Sequence, residues 1–408
     1  MVRLTSCILL IGSLAAIPAH ADTIPEWNLI VAQTLQTAKA GTGLAHSRVY
    51  AMVHGAMFDA VNAIDRRYHA YAAELEAPLG ASPDAAAAVA AHAVLVDLYP
   101  RHQPTLDAAR EAALARIQDG PAKTDGVALG LAAAKAMLAR RRNDGMSAQV
   151  PYTQRSGPGA FQLPTNANAI GTQWGAVAPF TLKNIQEFRL PGPPALASAR
   201  YARDFNEVKA LGGKKSTQRT AEQTAIALLW EPTSPITYNA MLRAMPELKK
   251  KTIVEQAYVF ALMNMAGSDA LLVGWGAKYQ FLFWRPETAI RNADADGNDA
   301  TAADGAWESL RSPYPAHPEY PSGHALFTGA VETILRTFFG TDRITVTVTN
   351  PDAKITRTFA SFSEIAKSIE DARVWAGIHF RSSDIDGTDL GRRAAEYALR
   401  NCMVPIAK

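Results

Sequence analysis

Cysteine is nearly missing from this chain: two in 408 residues, at positions 7 and 402. That excludes a cysteine-held zinc or iron–sulfur site, and if Cys7 leaves with an N-terminal signal no intrachain disulfide can form. A dominant charge is also missing. The net charge is +3 and no long basic run occurs, so nothing points to nucleic acid. Beyond the N-terminal segment no stretch offers 18 or more uninterrupted apolar residues, and no membrane span is expected in the mature chain. Chemistry that depends on charge must therefore come from local clustering.

The first residues, MVRLTSCILLIGSLAAIPAHA, have the layout of a secretory signal. Arg3 supplies the positive start, Cys7 to Ile17 is mostly apolar, and Ala19-His20-Ala21 offers small residues for cleavage. A mature protein starting near Asp22 and placed in the periplasm or secreted is the expectation. Three regions follow: a signal peptide over 1–21, an N-terminal helical bundle with a connecting loop over 22–195, and a C-terminal helical bundle over 196–408.

The periodicity is mostly helical. In 48-RVYAMVHGAMFDAVNAI-64 the apolar side chains recur at i, i+3, i+4 and i+7. Ser82-Pro83 caps a helix to about Tyr99, and further helices are predicted over 105–118, 124–142, 196–211, 218–230 and 253–283. Between 146 and 195 the period vanishes under repeated proline, glycine and asparagine, which predicts a long irregular connection. The runs 344-ITVTVT-349 and 354-KITRTF-359 flank Asn350-Pro351-Asp352-Ala353 and predict one hairpin. Ser361 and Glu364 form a capping box for a helix to about Gly377, and a last helix is predicted over 388–400. The fold class is all-α: two tandem helical bundles with long loops and one small β-hairpin.

Three segments carry groups suited to one oxyanion. In 278-KYQFLFWRP-286, Lys278 and Arg285 are seven apart, which on a helix puts them on one face about 10.5 Å apart along the axis; Pro286 is then expected to stop that helix. In 317-HPEYPSGHALF-327, Ser322 reads as an N-cap, leaving the N–H groups of Gly323 and His324 free at a positive helix end. His324 would sit beside the anion, placed for proton transfer. In 373-RVWAGIHFRSSD-384, Arg373 and His379 are six apart, with Gly377 able to swing His379 inward. Each segment has an ordinary reading as well: a solvated helical face, a capping serine before a surface histidine, a helix end with a histidine on the favourable side of the dipole.

Taken together and in order, Lys-x6-Arg-Pro, Pro-Ser-Gly-His and Arg-x5-His resemble the signature of the type 2 phosphatidic acid phosphatase and vanadium haloperoxidase superfamily. AMVHGAMFDAVNAI, FWRPETAIR, HPEYPSGHA and GIHFRSSDIDG are similar to the bacterial vanadium-dependent haloperoxidase-related proteins. The resemblance spans nearly the whole mature chain. It implies a haloperoxidase-like fold and one vanadate per chain, bound to metal through a ring nitrogen of His379. Lys278, Arg285 and Arg373 would neutralise the vanadate oxygens, and Ser322 and the Gly323 N–H would add hydrogen bonds. His324 would be the acid–base residue. Hydrogen peroxide would replace a vanadate oxygen to give a peroxovanadate, polarised by Lys278, that oxidises halide before a small organic acceptor. His317 in place of an aromatic implies bromide or iodide. A homo-oligomer of unspecified size is also implied.

The alternative within the same superfamily is an exported acid phosphatase, with His379 as nucleophile and His324 as general acid. Full-length resemblance favours the peroxidase. Two departures stand out. Ala372 replaces the usual serine before the arginine of the third motif, and Ser383 replaces an aspartate four residues after the ligand histidine. Asp384 follows one position later, and support of His379 by Asp384 is left open. Trp284, Trp307 and Tyr320 are candidates for an entrance, although packing is the commoner use of such aromatics. His46, His54, His69, His92 and His102 are read as structural or surface residues. The acidic run at 292–299 lacks the glutamate that an EF-hand needs and is read as a solvated loop, with an irregular calcium site as the minor alternative.

Overall fold

The computed structural model describes residues 22–407. The expected signal, with Cys7 and the cleavage site at Ala21, lies outside the described residues. Among the described residues, thirteen α-helices, a few short 3₁₀ turns and one two-stranded sheet make up the regular structure, in agreement with the expected all-α class.

The N-terminal half contains α1 (Thr23–Thr37), α2 (Gly43–Ile64), α3 (Pro83–Leu98), α4 (Gln103–Ala115) and α5 (Pro121–Arg141). Ser82 Oγ accepts from Ala85 N at 3.2 Å, the cap its sequence implied. Residues 142–198 form the irregular connection, broken only by two short 3₁₀ turns. Then come α6 (Ala199–Leu211), α7 (Ala221–Leu229), α8 (Ser234–Ala244), α9 (Ile253–Phe281), α10 (Pro286–Arg291) and α11 (Gly323–Phe339). The hairpin β1 (Val346–Asn350) and β2 (Ile355–Phe359) pairs antiparallel, with Val348 opposite Arg357. The chain finishes with α12 (Phe362–Trp375) and α13 (Arg381–Asn401).

The 29-residue α9 is the centre of the molecule. A capping box between Thr252 and Glu255 starts it, and it is apolar on all sides because α2, α11 and α13 cover it. By length and hydropathy α9 could cross a membrane, yet its apolar window is buried in this core. One apolar cluster runs from Ile24 to Met403 and takes in α2, α3, α9, α11 and α13, so helices on both sides of residue 195 share it. Helices α11 and α13 approach closely: a Cβ at Gly329 would lie 2.1 Å from the Thr388 carbonyl, and one at Gly391 equally near that of Leu326. This contact brings Ser322, at the start of α11, beside the first turn of α13.

Two expectations need correction. Lys278 and Arg285 do not share a helical face. Helix α9 stops at Phe281, Leu282 takes a left-handed conformation (φ 51°), and Arg285 is the extended residue before α10. Pro286 therefore opens α10 at its first position, where a missing N–H costs nothing, instead of ending α9. The last helix also begins at Arg381, seven residues earlier than the periodicity indicated. Ser382-Ser383-Asp384 reads as loop, but the Asp204 carboxylate on α6 accepts from Ser382 N at 3.0 Å and caps the helix from outside.

The long connection is held by Asp269 of α9, which is fully buried. Its carboxylate accepts from Phe180 N (2.7 Å), Thr181 N (2.6 Å), Thr181 Oγ1 (2.7 Å) and Leu182 N (3.1 Å). Asp269→Ala strands those donors in the core. The expected cost is about 3 kcal/mol, read as a fall in melting temperature of roughly 5 °C in a calorimetric scan.

Candidate active site

Three chain segments meet at one end of the α9–α11–α13 core: the turn after α9, the proline-rich approach to α11, and the loop between α12 and α13. A cavity of about 260 Å³ opens there. Its walls include His317, Gly323, His324, Arg373 and His379, with Leu271, Trp275 and Phe327 on the apolar side. The exposed Arg311–Glu231 ion pair (2.5 Å) stands at its rim.

His379 sits between α12 and α13, past Gly377 (φ 76°). A side chain at 377 would put its Cβ 2.3 Å from the Gly212 carbonyl, so only glycine permits this turn. The His379 ring is fixed from both sides. Its Nδ1 is 2.8 Å from Glu319 Oε1, and its Nε2 is 3.2 Å from Arg285 Nη1. A guanidinium can only donate. Nε2 must therefore carry the lone pair, Nδ1 the proton, and Glu319 must accept. The arrangement gives a neutral imidazole whose Nε2 lone pair faces the Arg285 guanidinium.

Arg285 is fully buried and places all of its N–H groups on the protein. Nε and Nη2 donate to the His317 carbonyl (3.1 and 3.0 Å), Nη2 also to His317 Nδ1 (3.1 Å), and Nη1 to the Ile378 carbonyl (2.7 Å) besides His379. It clamps the two loops that carry the histidines. Lys278 behaves in the same way. Its Nζ donates to the carbonyls of Pro318 and Glu319, each at 2.9 Å, and to that of Pro321. Two of the three expected cations thus give their positive charge to the site while their donors bind backbone. Arg373 differs: Nη1 donates to the Trp230 carbonyl (2.9 Å), but its buried Nε has no partner.

Ser322 is the N-cap residue of α11, as expected, but its hydroxyl does not cap the helix. The buried Oγ lies beside the Asp384 carboxyl without making a well-formed hydrogen bond. With the first-turn N–H groups of α11, Ser322 Oγ and Arg373 Nε form a set of donors that a bound oxyanion would satisfy. His324 is tethered through Nε2 to the Pro232 carbonyl at 3.1 Å, which leaves Nδ1 to exchange a proton. His317 lies against Trp275, with ring centroids 4.9 Å apart.

The electrostatics follow from burial. Desolvation, then the Arg285 charge, holds Lys278 well below the usual ammonium range. Arg285 and Arg373 are each pushed down to about 10, chiefly by burial. Burial and the neighbouring cations keep His317, His324 and His379 well below the usual imidazole range. Burial raises Glu319 to about 7 and Asp384 well above the usual carboxylate range. The three donors that converge on Glu319 partly offset its burial, whereas no well-formed bond reaches the Asp384 carboxyl. Net positive charge remains in the interior, which is the electrostatic requirement for holding an anion.

Every residue expected at the site is in this region, with Lys278, Arg285 and Ser322 behind the cavity wall. Asp384 does not support His379: it faces Ser322 from the first turn of α13, and Glu319 supports the histidine instead. Sequence reasoning overlooked Glu319 because it is a single acid among prolines. Its signal was its position inside HPEYPSGH, the only carboxylate in a motif that also carries two histidines. Trp284, Trp307 and Tyr320 pack in a separate apolar cluster and do not line the cavity. In the 292–299 run, Asp296 accepts from Asn298 N and Thr301 Oγ1 and thereby shapes the loop. Among the early histidines, His54 is stacked on Phe260 and His92 pairs with Asp107.

Fold and site together define a helical protein built around a buried cluster of cations and histidines. Residues 258–407 match the family described as VCPO second helical-bundle domain. The vanadium chloroperoxidase of Curvularia inaequalis is 31% identical over 201 residues, which is 40% of this chain and 32% of that protein's length. The crystal structure of the first bacterial vanadium-dependent iodoperoxidase superposes with a TM-score of 0.80 at 21% identity, over 95% of this chain and 97% of the other. A holo-type bacterial vanadium-dependent chloroperoxidase gives 0.69 at 18% identity, over 88% and 92%. The chain has the vanadium haloperoxidase fold, and its C-terminal part, over 258–407, is similar to the second helical bundle of that family; it spans about a third of the length of the curated relative it matches.

The unpaired Ser322 hydroxyl generates a prediction. Ser322→Ala removes a buried polar atom with no good partner, so the melting temperature should hold or rise slightly. Binding of inorganic phosphate, measured by titration calorimetry, should weaken by about 10- to 100-fold if Oγ donates to a bound oxyanion.

Proposed function

We propose that the protein is a vanadium-dependent haloperoxidase that oxidises bromide or iodide with hydrogen peroxide. The observation that carries this reading is His379: a neutral imidazole with Nδ1 tied to Glu319 and Nε2 turned toward a cationic cage. The donors present fit vanadate. His379 Nε2 would be the metal ligand, Ser322 Oγ, the Gly323 N–H and Arg373 Nε would donate to the oxygens, and Arg285 and Lys278 would supply charge from behind. Bound vanadate would act as a Lewis acid toward hydrogen peroxide.

The chain's own residues then have distinct tasks. His324, anchored through Nε2, can take or return a proton at Nδ1. His317 and Trp275 form the wall where a halide would approach, and Leu271 and Phe327 leave an apolar vestibule for a small organic acceptor. Export, expected from residues 1–21, would keep reactive halogen products outside the cytoplasm.

The test uses mature protein stripped of oxyanion and reloaded with orthovanadate. Bromination of a phenolic dye with hydrogen peroxide and bromide should depend on vanadate, and in His379→Ala it should fall to the rate of free vanadate. Hydrolysis of p-nitrophenyl phosphate that vanadate inhibits, with no bromination, would assign the site to phosphoryl transfer, since the same Nε2 lone pair is a competent nucleophile.

A further inference from the structure

Glu319 is the carboxyl side chain that ties the proline-rich approach to α11 to the start of α13. It is fully buried. Oε1 accepts from His379 Nδ1 (2.8 Å) and from Phe380 N (3.0 Å), and Oε2 accepts from Ser383 Oγ (2.6 Å). Its own backbone is fixed too: N donates to the Phe283 carbonyl (2.9 Å) and O accepts from Lys278 Nζ. Ser383 in turn presents its carbonyl to Ser322 N at 3.1 Å. One carboxylate therefore sets the ring plane of His379, the start of α13 and, through Ser383, the start of α11.

We infer that Glu319 is the positioning residue of His379, holding the ring in the tautomer that presents the Nε2 lone pair to the oxyanion; its consequence for vanadate rests on the function proposed above. The geometry also explains why Ser383 is small. Its Oγ meets Glu319 Oε2, so the acid reaches the histidine from the α11 approach, and a longer acid at 383 would compete for the same space. Ligating histidines commonly donate their second ring nitrogen to a carboxylate, which raises basicity and fixes orientation, and loss of that partner typically weakens metal binding by about 10- to 100-fold.

The test compares the mature chain with Glu319→Gln, Glu319→Ala and Glu319→Ala/Ser383→Asp. Nitrogen-15 histidine NMR reads the tautomer of His379, whose signals are assigned by their loss in His379→Gln. Equilibrium dialysis reads orthovanadate affinity without turnover. The wild type should carry its proton on Nδ1. Glutamine can keep every hydrogen bond, with its amide oxygen on His379 and Phe380 and its amide nitrogen on Ser383. That variant should fold and retain the tautomer, yet bind vanadate about tenfold more weakly because the charge is gone. Alanine should lose the tautomer preference as well, and Ser383→Asp should restore it in part.

Protonation of wild-type His379 on Nε2, or a glutamine variant that binds vanadate as tightly as wild type, overturns the inference. If the wild type binds no vanadate, the functional reading fails instead. The tautomers then decide the positioning role: Nδ1–H in the wild type with its loss in Glu319→Ala supports it, and an unchanged tautomer overturns it. Should Glu319→Ala fail to fold, the wild-type tautomer and the glutamine variant decide.

Discussion

Burying Lys278, Arg285 and Arg373 within one site is the constraint on which the rest of the structure depends. Each cation leaves water at a cost of several kcal/mol, by the usual order of magnitude for buried ions, and each repels the other two. Burial lowers the pKa of all three cations and raises that of Glu319 and Asp384. Such a cluster persists only if oriented dipoles and at least one opposite charge surround it. The protein meets that demand mainly with backbone. Carbonyls of Pro318, Glu319 and Pro321 surround Lys278, those of His317 and Ile378 hold Arg285, and that of Trp230 holds Arg373.

That solution accounts for the irregular loops at the site. A helix or strand uses its carbonyls internally, whereas extended, proline-rich chain leaves them free to face a cation. The HPEYP segment is therefore a scaffold for charge as much as a lead into α11. It also limits motion, because the clamps of Arg285 and Lys278 tie the 317–321 segment to the end of α9 and to the 378–379 turn. The helical core supplies the rigid frame: α9 lies at its centre, and the close α11–α13 contact sets the distance between Ser322 and the 383–384 pair. An anion entering this frame would find its donors already in place, which is the electrostatic preorganisation that catalysis on charged intermediates needs.

Much of this was legible in the sequence. The 3.6-residue periodicity exposed α2, α3, α5 and α9, the proline density marked the long connection, and the alternation after Ile344 marked the hairpin. Residues of the three motifs, Lys278, Arg285, Ser322, Gly323, His324, Arg373 and His379, do gather in one region. Helical spacing was the wrong reason for the first pair, since a left-handed residue at 282 and a second helix at Pro286 separate them. The early start of α13 was hidden because its cap, Asp204, is 178 positions away.

The sequence alone determined most of the long helices and which residue types reach the site, because periodicity, caps and motif composition act over a few neighbouring positions. Tertiary structure alone decided how those residues share the work. That Glu319 and not Asp384 supports His379, that Lys278 faces carbonyls, and that Ser322 leaves its helix uncapped all follow from contacts between segments 40 to 60 or more positions apart. Hydrogen-bond partners across such separations depend on how α9, α11 and α13 pack, and no local pattern in the chain encodes that packing.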